Sequence, residues 1–171
     1  MKDIPLSVPN LHPEIVENLR ECVETGWVST GGRFIAEFET AVADCVGAED
    51  AVACQSGTAG LHTALRVLGV GAGDAVLAPT LTFIAAVNPV RYLGAEPIFM
   101  DCDAHFGMDA AKLADFCANE CRKEARGLVE KTTGRRIAAV AVVHVFGDLA
   151  DMDGIMRVAR AHGLKVLEDA T

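Results

Sequence analysis

Aromatic side chains make up only 5% of the 171 residues, and basic side chains number 15 against 24 acidic ones. No apolar stretch approaches the ~20 residues that a bilayer demands. Each shortage closes a class. The formal net charge of −9 speaks against a nucleic-acid-binding module, which would show a basic excess. It leaves room for a small anionic ligand, because net charge governs solubility and steering while a phosphate is held locally by a few backbone donors. The longest apolar run, Ile137 to Val143, has the length of a buried strand. The opening residues Met1-Lys2-Asp3-Ile4-Pro5 lack the apolar core of a secretory signal. Cys-x-x-Cys spacing is also missing. Of the six cysteines (Cys22, Cys45, Cys54, Cys102, Cys117, Cys121) five sit in apolar periodic segments, so reduced thiols in a cytoplasmic protein are expected. Cys117 and Cys121 stand one helical turn apart with no His or Cys beside them, and read as structural rather than metal-binding.

What the chain does contain is Ala, Val and Leu in quantity. The apolar fraction is 51%, which excludes intrinsic disorder and gives one domain's worth of chain able to bury roughly 70% of its unfolded surface. From Pro13 to Thr25 the apolar positions Ile15, Leu19, Cys22 and Val23 recur at helical spacing, and Gly26 is placed to end the helix. Arg33 to Val46 repeats the pattern up to Gly47, with a loop between the two that carries the only tryptophan, Trp27. The chain then alternates short apolar runs with helical stretches. This pattern predicts an α/β fold, three layers with a mostly parallel sheet between helices. Strands are expected at Ala51–Cys54, Ala75–Ala78, Pro97–Cys102, Ile137–Val143 and Lys165–Glu168. Helices are expected at about Thr58–Leu68, Thr82–Leu93 with a kink at Pro89, Ala110–Ala125 capped by Asp109, and Met152–His162. Leu128 to Arg136 reads as a hairpin centred on Thr133-Gly134.

Open parallel sheets bind ligands at the carboxyl ends of their strands, so the residues just past each strand carry the interest. After the first comes Gln55-Ser56-Gly57-Thr58, leading into a helix. Small residues at such a turn allow close backbone approach, and exposed N–H groups at a helix start make an anion pocket, although Ser-Gly-Thr is also ordinary turn and cap chemistry. The Gly69-x-Gly71-x-Gly73 run is not a dinucleotide fingerprint, because it follows a helix, precedes a strand and has Asp74 where a third glycine belongs. Past the second strand stands Phe83, past the fourth His144-Val145-Phe146-Gly147, and past the fifth Glu168-Asp169-Ala170-Thr171. Taken singly, each has an equally plain structural use, as core, hydrogen-bonded histidine or cap.

Taken together and in order they form a set. Gly26-Trp27-Val28-Ser29-Thr30-Gly31, Ser56-Gly57-Thr58-Ala59-Gly60-Leu61, Pro79-Thr80-Leu81-Thr82-Phe83-Ile84-Ala85, His144-Val145-Phe146-Gly147 with Asp151-Met152-Asp153, and Glu168-Asp169-Ala170 resemble the sugar aminotransferases of the DegT/DnrJ/EryC1/StrS family. These are fold-type I enzymes dependent on pyridoxal 5'-phosphate. The opening Ile4-Pro5-Leu6-Ser7-Val8-Pro9-Asn10 looks most like the branch that aminates nucleotide-linked 4-keto-6-deoxy sugars on the way to nonulosonic acids. The resemblance implies that Ser56, Gly57 and Thr58 hold the cofactor phosphate and that Phe83 stacks on the pyridine ring. It further implies that Asp169 accepts a hydrogen bond from the pyridine nitrogen, and that Trp27, Ser29 and Thr30 border the substrate. It leaves His144 without a role. The family implies a homodimer, a nucleotide-sugar substrate and glutamate as amino donor.

Two family features are not found in this sequence. One is the Gln or His that follows shortly after the aspartate motif, and the other is the Schiff-base lysine. None of Lys2, Lys112, Lys123, Lys131 and Lys165 matches its position, and Lys165 precedes its strand. Residues 1–171 are therefore expected to be the amino-terminal part of the cofactor-binding large domain, without the small carboxy-terminal domain, and inactive alone. The alternative is a lysine-less pseudoenzyme or structural module that keeps the fold without catalysis.

Overall fold

Alanine and β-branched residues dominate β1 (Ala75–Pro79) and β5 (Ile137–Val143), the inner strands of a central sheet whose order is β2 (Glu96–Met100), β1, β5, β6 (Lys165–Asp169) with every pairing parallel. A run without polar alternation suits a strand covered on both faces. In β1 all five residues are buried, and in β5 the first six. On one face Leu77, Val140 and Val142 pack with Leu113 and Cys117 of α5 (Ala110–Asn119) and Ile155 of α6 (Met152–His162). On the other, Val76, Ala139 and Ala141 pack with Leu65 of α3 (Gly57–Val67) and Val90 of α4 (Asn88–Tyr92). This is the expected α/β/α layering. The computed structural model describes residues 4–5 and 8–171, so Lys2 and part of the opening segment from Ile4 to Asn10 lie outside the described residues.

The chain forms two compact units divided after Ala53. The first holds α1 (Ile15–Thr25) and α2 (Arg33–Val46), ended by Gly26 at φ 76° and Gly47 at φ 67°, the left-handed backbone where a side chain is strained. Arg33 joins them, its Nε and Nη2 each 2.6 Å from a carboxylate oxygen of Glu21, and this partner holds the Glu21 carboxyl below its ordinary range. The second unit holds the sheet, its helices and a hairpin, β3 (Cys121–Glu124) with β4 (Gly127–Glu130).

Three expectations need correction. Residues 51–54 form no strand, since a strand exists only beside a partner, and the Ala53 N–H goes instead to Glu39 Oε1 at 2.8 Å. The expected helix Thr82–Leu93 is two pieces, a 3-10 turn at Ile84–Ala86 and the short α4, because Pro89 has no N–H to give and fits only a first turn. Helix α5 stops at Asn119, and Cys121 opens β3. The burial of Cys121 beside Cys117 mimics helical spacing, and it pushes their thiols up to about 11 and about 12 respectively. The expected hairpin over Leu128–Arg136 forms, closed around Thr133-Gly134 by Gly134 N–H to the Glu130 carbonyl at 3.0 Å and by an antiparallel bridge between Val129 and Arg136; the β3–β4 hairpin precedes it.

Candidate functional site

Helix α3 begins immediately after a turn. Ser56 has extended backbone (φ −162°, ψ 157°) and its side chain accepts from the Ala59 N–H at 3.2 Å, the arrangement of an N-cap. That satisfies one of the donors a helix start leaves over. The N–H groups of Gly57 and Thr58 find no acceptor among the described residues, nor does the Thr58 hydroxyl. They sit where the helix dipole is positive, so an anion is the ligand they suit.

The carboxyl end of β1 is turned by Thr80. Its N–H and hydroxyl both donate to the Met100 carbonyl, at 2.9 and 3.1 Å, and the chain leaves the sheet in extended form through Phe83 (φ −71°, ψ 139°). Phe83 is 77% exposed, so its ring face is open at the end of β1. At the end of β6 the Asp169 carboxylate is half-buried. Its Oδ1 accepts from the Thr171 N–H at 3.1 Å and from the Thr171 hydroxyl.

These ends converge. A cavity of about 560 Å³ is lined by Gly57, Thr58, Thr82, Phe83, His144 and Asp169, with Phe146 at its side. Ser56 stands behind it as the cap of α3, lining none of it. A helix start with open N–H groups, an exposed aromatic face and a carboxylate in one cavity suit a flat, anionic, nitrogen-bearing ligand. Trp27 and Ser29 belong to the first unit, where they line a hollow of about 500 Å³, and Thr30 is not part of its wall. Gly31 and Gly32 are dictated by Trp27: a Cβ on Gly31 would stand 2.8 Å from the indole Cζ3, and Gly32 has φ 108°. His144 and Phe146, which the strand-end rule singles out without a role, line the cavity, as does Thr82, which stands one residue before Phe83 and is found by the same rule.

An open parallel sheet with its cavity at the carboxyl ends of the strands defines a ligand-binding α/β domain. Residues 9–171 match the DegT/DnrJ/EryC1/StrS aminotransferase family, and the chain belongs to that family. Over 99% of its length it is 42% identical to a GDP-perosamine synthase of Caulobacter vibrioides, 43% of which it covers. It is 33% identical over 98% of its length to a UDP-4-amino-4-deoxy-L-arabinose–oxoglutarate aminotransferase of Shewanella sediminis, covering 39% of that protein. It also matches the crystal structure of NtdA from Bacillus subtilis with bound cofactor PMP. The TM-score there is 0.77 at 28% identity, over 92% of this chain and 32% of that one. The chain spans about two fifths of the length of the curated relatives it matches. The family depends on pyridoxal phosphate, and solved relatives hold it in both its PLP and PMP forms. No helix among the described residues is long and apolar enough to cross a membrane.

Proposed function

We infer that the chain is the cofactor-binding part of a pyridoxal-phosphate-dependent sugar aminotransferase. It would convert a nucleotide-linked 4-keto-6-deoxy sugar to the 4-amino sugar. The observation that carries this reading is the convergence of Gly57, Thr58, Phe83 and Asp169 on one cavity. Likeness to a GDP-perosamine synthase and to an enzyme named for a 4-amino-4-deoxy sugar supports the 4-amino product. Oxoglutarate in the second name is the acid left when glutamate gives up its amino group, which supports glutamate as donor. The nonulosonic acid branch rests on the opening segment alone. Six cysteines without Cys-x-x-Cys spacing, five of them in apolar periodic segments, fit a cytoplasmic setting, and the family resemblance favours a homodimer.

Pyridoxal phosphate, when bound, supplies an aldehyde that carries the amino group and a ring that takes up the electrons released during transfer. The Gly57 and Thr58 N–H groups with the Thr58 hydroxyl would hold its phosphate, and Ser56 keeps the helix start open for them. Phe83 would lie on the ring face and exclude water from it. Asp169 would hold a proton on the ring nitrogen by charge-assisted hydrogen bonding. Trp27, Ser29 and Thr30 would border the sugar.

The reactive amine is assigned to residues beyond this chain, in keeping with residues 1–171 as part of a large domain. Of the described lysines, Lys112 pairs with Asp101, Lys131 donates to the Asn119 carbonyl, Lys123 lies on β3 and Lys165 opens β6 at the opposite edge. None lines the cavity. Titrating the purified chain with pyridoxal phosphate tests the reading. Saturable, reversible binding is expected, weakened about tenfold or more by Asp169→Asn, since a hydrogen bond to a charged group is worth about 1.5–3 kcal/mol. Borohydride reduction should label lysines only at scattered low level. Equal binding by wild type and Asp169→Asn, or one stoichiometric lysine adduct with transfer activity, would overturn it.

A further inference from the structure

His144 follows β5 directly. Its ring is 7% exposed, and no step above gives it a task. Both ring nitrogens are engaged. Nδ1 lies 3.3 Å from the backbone nitrogen of Ala150, whose N–H can only donate, so Nδ1 must present a lone pair. A neutral ring that accepts at Nδ1 carries its proton on Nε2, and Nε2 stands 3.2 Å from Glu168 Oε2. The main chain adds a third link, from the His144 N–H to the Asp169 carbonyl at 3.0 Å.

One residue thus grips both members of the Glu168-Asp169 pair, the first by its side chain and the second by its backbone. Successive side chains of a strand point to opposite faces. Holding Glu168 on one face and the Asp169 carbonyl in the ladder therefore fixes the rotation of β6 about its own axis, and that rotation decides where the Asp169 carboxylate points. The grip acts at the very end of β6, where the Asp169 carbonyl meets the His144 N–H in the ladder with β5. With Nδ1 taken by Ala150 and the Nε2 proton directed at Glu168, neither nitrogen is left to serve as a base toward a ligand.

The geometry points to His144 as a positioning residue, a neutral imidazole protonated at Nε2 that turns the end of β6 so that Asp169 faces the cavity. Its use in the enzyme rests on the function inferred for Asp169, whereas the placement is a property of this chain alone.

Long-range proton–nitrogen NMR on the 171-residue chain, with no cofactor added, should find His144 protonated at Nε2 and bare at Nδ1. The side-chain carboxyl carbon of Asp169 is the second readout. Its resonance should move in His144→Ala and stay displaced in His144→Asn, which keeps only the acceptor toward Ala150. It should return toward the wild-type position in His144→Gln, whose amide reaches Glu168 as a donor. Glu168→Ala removes an exposed side chain, so folding is retained, and should reproduce the His144→Ala displacement; the double variant should add nothing to it. A residue that merely filled space would lower the melting temperature and leave the Asp169 resonance in place. Pyridoxal phosphate affinity should fall about tenfold in Glu168→Ala, as expected when a contact group is misplaced rather than removed. An Nδ1-protonated ring, or an Asp169 resonance indifferent to Glu168→Ala, would overturn the proposal. A wild-type chain that shows these NMR responses yet fails to bind pyridoxal phosphate would sink the cofactor reading and sustain the positioning role.

Discussion

At the amino edge of the sheet Asp74 and Arg136 meet across 62 positions of sequence, Nε on Oδ1 at 2.9 Å and Nη2 on Oδ2 at 2.7 Å. At the carboxyl edge the Asp169 carboxylate meets, among the described residues, only the N–H and hydroxyl of Thr171, two residues on. The same contrast holds for backbone donors. The Gly71 N–H is taken by Asp74 and the Gly69 carbonyl by Arg136, whereas the Gly57 and Thr58 N–H groups meet no acceptor among the described residues. One edge spends its polar groups on each other and the other holds them out. A glycine-rich loop is therefore not evidence of a ligand site in itself. The 69–73 loop is closed by its own ion pair, and what marks a site is a donor without an intramolecular acceptor beside an exposed aromatic.

The sharpest way to break this comparison is Arg136→Ala. The pair is partly buried, with side-chain exposures of 34% and 14%, so its loss should fall between the 0–1 kcal/mol of an exposed pair and the 3–5 of a buried one, about 2 kcal/mol. Urea unfolding should show a lower midpoint at unchanged slope, and phosphate binding at the other edge should not change. Full stability in Arg136→Ala would mean that the amino edge is not closed by this pair.

A smaller effect is expected at the turn that feeds β5. Burial pushes the Glu130 carboxyl up, but the Thr133 hydroxyl and the N–H groups of Thr133 and Thr132 outweigh it and hold the group at about 2. A carboxyl depressed in the folded state contributes stability that is present above its ordinary value near 4.5 and lost as pH falls toward about 2. Glu130→Gln should cost about 1–2 kcal/mol at neutral pH and flatten acid unfolding between pH 5 and 2. An acid limb as steep as wild type would assign that limb to other carboxylates.

The amino acid order makes the closed edge harder to foresee than the open one. Strand β5, α2 and α6 are legible to the residue because the apolar period is unbroken and glycines stand just past both helices. Phe83 and Asp169 share a cavity because the ends of parallel strands are neighbours, a rule that needs no partner to be known, whereas Gly57 and Thr58 join them from a helix start that follows no strand among the described residues. The Asp74–Arg136 pair, the Glu39 contact that replaces a strand at 51–54, and the Ala150–His144–Glu168 chain are relations between distant positions. No local pattern encodes them. Cys121 shows the converse, a residue with helical spacing from Cys117 that reaches the same core from a strand.

The mildest substitution sharpens the comparison most. Thr58 lies in the first turn of α3 with a hydroxyl that no described residue engages, so Thr58→Val removes an oxygen that holds nothing in the folded chain and keeps a β-branched side chain of similar volume. Its stability should stay within about 0.5 kcal/mol of wild type, the range of substitutions that break no internal contact. Binding should respond differently. If the hydroxyl and the two N–H groups hold a phosphate together, losing one hydrogen bond to a charged group costs about 1.5–3 kcal/mol, a drop of about tenfold to a hundredfold in affinity. Thermal unfolding with and without pyridoxal phosphate measures both quantities at once, since a ligand at free concentration L that binds only the folded state stabilises it by RT ln(1 + L/Kd) and raises the melting temperature accordingly. The expected pattern is equal melting temperatures without ligand and a smaller upward shift for the variant with it. Equal shifts would show that the open helix start is not where the anion sits.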